Sequence, residues 1–169
     1  MDMRSLAQTE RVRQGWLSGF SQAVPIWLGY VSVGFAYGVL AQKAGLSALN
    51  TILMSVIVYA GSAQLIAVGL FAAGASAASI ILTTLVVNLR HLLMSAALSP
   101  HLKKWTKRQL AAFAFELTDE TFVLHSSRVG RGDLLSTETF AINLSSQCAW
   151  VLGSWLGFEI GRASCRERV

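Results

Sequence analysis

The sequence predicts an all-α, polytopic integral membrane protein, and three observations carry that prediction. The chain of 169 residues is 53% hydrophobic and only 14% charged, against about 25% charged in an ordinary soluble domain. No charge falls in residues 14–42, 44–89 or 139–158, whereas the helices of a large soluble core would each carry a charged outer face. Within one apolar run, 78–98, Asn88, Arg90 and His91 are the only strongly polar side chains. About 20 such residues cross a bilayer as a helix, and an arginine at mid-depth costs on the order of 3 kcal/mol or more. A charge kept there needs a partner and a purpose.

Four to five transmembrane helices are expected, one of them broken or re-entrant. Residues 1–19 are mixed, and Trp16 with Phe20 marks an interfacial entry to the bilayer. The first span, 20–41, contains Pro25, Gly29, Gly34 and Gly38. Gly34 and Gly38 form a small-xxx-small pair that admits a close neighbouring helix, while Pro25 leaves an unwound binding site open. A short turn at 42–45 leads to the second span, 46–73. Near its middle stand Tyr59, Ala60, Gly61, Ser62, Ala63 and Gln64. Gln64 both donates and accepts hydrogen bonds; it fits a ligand contact and an interhelical bond equally well.

A turn at 74–76 opens the third span, 78–98, which Pro100 ends. Thr84, Asn88, His91 and Ser95 recur at spacings of four, three and four, so they share one helical face. Arg90 lies about 100° away from His91, which directs the stripe to a cavity and Arg90 to a different neighbour. Residues 101–108 are a basic loop with Trp105. The region after it is apolar except for Glu116 until Thr118, Asp119, Glu120 and Thr121 interrupt it. A broken helix buried among others and an interfacial amphipathic helix both fit that pattern. A polar loop at 128–136 contains Gly130 and Gly132. The last span, 140–158, carries Asn143, Gln147 and a second small-xxx-small pair, Gly153 and Gly157.

Residues 159–169 break abruptly into charge and read like an in-frame translation of a sequencing-library adapter, outside the permease-like region 20–158. The native gene is accordingly expected to continue differently past Phe158, which genomic sequence across that codon checks. Net charge is +5, but the basic clusters, Arg4, Arg11 and Arg13, and Lys103, Lys104, Lys107 and Arg108, border apolar runs. Anchoring to a lipid bilayer explains them better than nucleic-acid binding. No Walker loop, His-Glu-x-x-His pair, Cys-x-x-Cys pair or Gly-x-Ser-x-Gly elbow occurs, so the reading is a non-enzyme without metal or cofactor. What remains is a set of ionisable and polar groups on different spans, which suits a small-solute path in a transporter.

Four stretches in order, Ala23-Val24-Pro25-Ile26, residues 59–64, Asn88-Leu89-Arg90-His91 and 118–122, resemble the AzlC family of branched-chain amino-acid export permeases. The resemblance covers residues 15–158. It implies a multi-pass protein of a bacterial or archaeal plasma membrane that exports leucine, isoleucine, valine and analogues, with a small AzlD-type membrane partner. The family's motif positions fall on Gln64, Asn88, Arg90, Asp119 and Glu120. A zwitterionic solute needs partners for its carboxylate, ammonium and aliphatic tail. Arg90 fits the carboxylate bidentately or a structural pair with Asp119 or Glu120. The remaining acid or His91 fits a coupling proton, and Phe122, Leu65 or the surface at Gly61 fits the tail. The competing reading is a non-transporting membrane subunit whose polar residues hold helices or a partner together. An intramembrane enzyme using Asp119, Glu120 and His91 is the third.

Overall fold

The computed structural model describes residues 3–129 and 134–166, so the loop glycines Gly130 and Gly132 lie outside the described part. Seven helices follow in order: α1 (Met3–Lys43), α2 (Ala48–Leu53), α3 (Gly61–Ala72), α4 (Ala77–Leu98), α5 (Lys107–Glu116), α6 (Asp119–Val129) and α7 (Ser136–Arg166). A π turn, Met54–Val58, extends α2, and a 3-10 turn, Ser99–His101, closes α4 at Pro100. The described residues contain no strand. Local chemistry sets the ends. Ser47 and Ser76 accept the backbone N–H of Asn50 and Ser79, and Thr106 with Gln109 forms a reciprocal cap on α5. The turns at Gly45 and Gly74 have φ of 84° and 71°, which glycine reaches without strain.

Among the described residues, Gln8–Lys43 and Ala77–His101 are long and apolar enough to cross a bilayer alone. The outward side of α4 presents Ile81, Leu82, Leu85, Val86, Leu89, Leu92 and Leu93, each more than half exposed. So dense an apolar face suits lipid rather than water.

The frame is a parallel pair. Along α1 and α7 the contacts advance together: Ser18 meets Glu138, Trp27 meets Ser145, and Gly34 lies against Trp150 and Gly153. A Cβ on Gly34 would stand 2.8 Å from the Trp150 carbonyl oxygen, and one on Gly153 would stand 2.6 Å from the Val31 carbonyl oxygen. Gly38 and Gly157 press as closely on the backbone of the opposite helix. The two glycine pairs therefore interlock with each other, backbone on backbone.

α6 runs antiparallel to that pair. Thr118 bonds Tyr30, His125 bonds Asn143, and Arg128 pairs with Glu138, so α6 descends as α7 rises. Sequence suggests one broken or re-entrant segment; the structure has two, each doubling back at its break, since Gln64 bonds Ser55 at 3.2 Å and Phe113 packs on His125 at 5.4 Å. The break at Leu117–Thr118 falls within the region read as ambiguous. The other divides the second span at Tyr59–Ala60, where Tyr59 adopts a left-handed conformation with φ 42° and ψ 46°. Tyr30 packs edge-on against its ring at 6.3 Å, and this packing holds a conformation that a tyrosine rarely adopts alone. By contrast α1 runs unbroken through Pro25.

At the end of the frame nearest the start of α7, Glu138 accepts hydrogen bonds from Ser18 at 2.6 Å and Gln22 at 2.5 Å, and pairs with Arg128. Burial alone would push its carboxyl up, but Ser18, the Arg128 charge and Gln22 outweigh it and hold the carboxyl below its ordinary value. A depressed folded-state pKa contributes stability that is present above the ordinary value and lost as pH falls through the folded one. Thermal melts of detergent-solubilised protein should therefore lose stability on acidification below the ordinary glutamate range. Glu138→Gln should melt lower at neutral pH and respond less to acid. Identical acid responses in the two proteins would contradict the assignment.

Candidate functional site

The two breaks face one another across a cavity of about 350 Å³, toward the small end of the roughly 300–1,000 Å³ typical of small-molecule sites. Five elements supply its wall. From α1 come Pro25, Ile26, Gly29, Tyr30 and Val33, and from the first break Tyr59, Ala60, Gly61, Ser62 and Leu65. α4 contributes Arg90 and His91, and the second break Thr118, Asp119 and Glu120. Trp150 of α7 closes it.

The charged groups are arranged as opposites. Arg90 Nη1 lies 2.7 Å from Asp119 Oδ2, and Nη2 donates to Ser62 Oγ at 2.5 Å. Glu120 is engaged separately: its Oε2 accepts from the Tyr30 hydroxyl at 2.7 Å, and Tyr30 also bonds Thr118 Oγ1 at 2.5 Å. The start of α3 has no side-chain cap, because Ala60 offers no acceptor. Its first backbone N–H groups and the positive end of its dipole are thus open to an anion in the cavity. The start of α6 is capped by Thr118 and Thr121, which exchange bonds at 2.9 and 3.4 Å, and it carries Asp119 and Glu120 where the dipole favours acids. The buried Tyr59 hydroxyl has no hydrogen-bond partner among the described residues. Ile26, Val33 and Leu65 make the remainder apolar.

Of the residues singled out from sequence, Arg90, His91, Asp119, Glu120 and Gly61 line this cavity. Two do not. Gln64 is fully buried behind it, accepting from Trp150 Nε1 at 3.1 Å and donating to Ser55 Oγ at 3.2 Å. Ser55 in turn bonds Ser154 at 2.8 Å, so Gln64 ties α3 to α2 and α7. Asn88 lies about a half-turn beyond the cavity, with its carbonyl oxygen bonding His91 Nδ1 at 3.2 Å and its side-chain oxygen buried without a partner.

The stripe expectation is corrected here. His91 and Arg90 share the cavity, whereas the Thr84 hydroxyl turns back to the Ile80 and Ile81 carbonyls and Ser95 lies on a separate shallow groove. Helical angle places a residue around an axis, but the break fixes the cavity's height along it. Phe122 is not a tail contact either: it packs against the cluster of Leu98, Leu102, Phe113, Leu117 and Leu134. Sequence reasoning missed Tyr30 and Trp150, and gave Tyr59 no role of its own although it heads the motif at 59–64. A tryptophan far inside a span, away from the interfacial belts, was the available signal for Trp150. Nothing comparable marked Tyr30.

Gln64→Leu should leave the Trp150 N–H and a Ser55 acceptor unmatched, at a cost of about 1–3 kcal/mol. The expected result is a lower melting temperature with unchanged ligand affinity at the cavity; a large affinity loss at unchanged stability would place Gln64 in the site instead.

Broken helices meeting at a charged cavity inside an apolar bundle define a multi-pass membrane protein. The sequence profile of the AzlC protein family matches residues 25–163, and the chain belongs to that family. It is 32% identical over 145 residues to the inner membrane protein YgaZ of Escherichia coli, covering 84% of this chain and 59% of the relative. An uncharacterized membrane protein of Archaeoglobus fulgidus is 31% identical over 166 residues, 98% of this chain and 70% of the relative. The branched-chain amino acid transport protein AzlC of Bacillus subtilis is 28% identical over 149 residues, 85% and 57%. The chain spans about 60% of the length of the first curated relatives it matches. No solved structure matches it.

Proposed function

We propose that the protein is the large subunit of an exporter of leucine, isoleucine, valine and analogues, driven by an ion gradient and working with a small AzlD-type membrane partner. The observation that carries the reading is the cavity's chemistry, an arginine fork and an open helix N-terminus on one side, a carboxylate on another, and an aliphatic wall between. A zwitterion's carboxylate suits the α3 N–H groups and Arg90, its ammonium suits Glu120, and its branched tail suits Ile26, Val33 and Leu65. In this reading Arg90 is held ready by Asp119, and His91 lies beside it in the cavity. Asn88 and Gln64 act behind the site, Gln64 as the bond that fixes Trp150 against it. The transport-protein name of the Bacillus subtilis relative supports the substrate class.

The test is valine exchange in vesicles containing the protein with its small partner. Saturable exchange, competed by leucine and isoleucine but not by lysine or glutamate, is expected. Absence of exchange with properly folded protein would leave the non-transporting subunit as the better reading.

A further inference from the structure

A second polar feature is buried below the cavity, between α1, α6 and α7. One face of α6 carries Thr121, His125 and Arg128, and Thr118 stands just before it, with Thr121 and His125 fully buried. Hydrogen bonds lead into it from the cavity, since Tyr30 joins Glu120 to Thr118, and Thr118 Oγ1 lies 3.1 Å from Thr121 Oγ1. One turn further, His125 Nε2 donates to Asn143 Oδ1 at 2.8 Å. That bond leaves the lone pair of the neutral ring on Nδ1. Beyond it stand Arg128 and Glu138, with Ser18 and Gln22 on the Glu138 carboxylate.

A histidine kept only for packing satisfies both ring nitrogens. Here His125 Nδ1, Asn143 Nδ2 and Thr139 Oγ1 are all buried without a partner among the described residues, and all three residues are fully buried. Thr139 and Asn143 are one turn apart on α7, so the three unmatched groups belong to one face of one interface. Such a cluster is a liability in a structural seam and an asset where a proton must pass.

We propose that His125 is a proton relay, and that the seam from Glu120 through Thr118, Thr121 and His125 to Glu138 carries the coupling proton, with Asn143 holding the ring in place. The ring accepts the proton at Nδ1 as an O–H bond on the Glu120 side breaks, becoming imidazolium. It then gives the proton up from Nδ1 to the Glu138 carboxylate, where an O–H bond forms, while Nε2 keeps its bond to Asn143. The charged groups facing the ring are Arg128 from its own helix, which opposes an imidazolium, and Glu138 from α7, which favours one. α1 offers the uncharged Ser18 and Gln22, and α5 the Phe113 ring at 5.4 Å.

The inference rests on the transport reading, and one experiment separates the two. Vesicles with trapped pH dye report proton movement, and labelled valine at equal concentrations on both sides reports exchange, which needs no net proton. For His125→Gln, proton movement accompanying valine should fall at least tenfold while exchange stays within twofold. Proton movement equal to the parent protein's overturns the relay. So does loss of both signals at unchanged melting temperature, which makes His125 part of binding. A parent protein that exchanges valine without moving protons overturns the relay and leaves transport standing; one that exchanges nothing overturns transport itself. Should His125→Gln fail to fold, Thr139→Val is the second variant: a threefold or greater drop in proton movement supports the relay, and no change overturns it.

Discussion

On the exporter reading, Arg90→Gln should abolish valine transport while leaving the protein folded in the membrane. The guanidinium makes an ion pair to Asp119 and a hydrogen bond to Ser62, and it is the only cation among the residues lining the cavity apart from any charge on His91. Charge-assisted hydrogen bonds are worth about 1.5–3 kcal/mol each, so losing two from a bound carboxylate corresponds to roughly 100-fold or more in affinity. The stability cost should be far smaller, about 1 kcal/mol or less, because the pair is a third to a half exposed to the cavity. Arg90→Lys should recover little, since an ammonium lacks the planar fork. Valine binding by calorimetry on purified protein, beside its melting temperature, distinguishes the outcomes. Unchanged affinity in Arg90→Gln removes the arginine from the site. Lost affinity with a melt lowered by many degrees makes the pair structural.

Replacing Gly38 or Gly157 with valine should prevent accumulation of folded protein. Each glycine presses on backbone atoms of the opposite helix, Gly38 on Ser154 and Phe158, Gly157 on Phe35. Backbone cannot swing aside as a side chain can, so α1 and α7 must separate along their length. Overpacking by a few methylenes typically costs about 1–3 kcal/mol where neighbours can adjust; here they cannot, and the loss should exceed that. Gly69→Ala is the control, because a Cβ there meets nothing within 4 Å and alanine favours the helix by about 1 kcal/mol. Fluorescence-detected size exclusion of tagged variants reads the result. A monodisperse Gly157→Val peak at the parent's yield would contradict the interlock.

The frame was legible because hydrophobicity, charge-free runs and caps all act locally. The limits of α4 follow from Ser76, which caps its start, and Pro100, which stops it. The glycine pairs announced close packing, though not that the two pairs meet each other, which depends on α1 and α7 running in the same direction. Arg90's need for an acid followed from the cost of an unpaired charge, and the structure chooses Asp119 over Glu120. The break at Tyr59–Ala60 was hidden, since neither residue is a glycine or proline and the left-handed turn is held by distant aromatic packing. Everything that depended on the height of that break was misplaced with it: Gln64 fell behind the cavity, and Thr84, Asn88 and Ser95 fell away from it.

The two interruptions have a mechanical consequence. An intact helix resists bending through its unbroken ladder of backbone bonds, and that stiffness is lost at Tyr59–Ala60 and Leu117–Thr118. α3 and α6 are therefore levers hinged against one rigid post made of α1 and α7. A lever that turns sweeps its far end widely and hardly displaces the atoms beside its pivot. The groups that face the cavity, the first amides of α3 and the acids of α6, sit at those pivots. Tilting either lever changes the openings above and below while the grip at the centre stays nearly still.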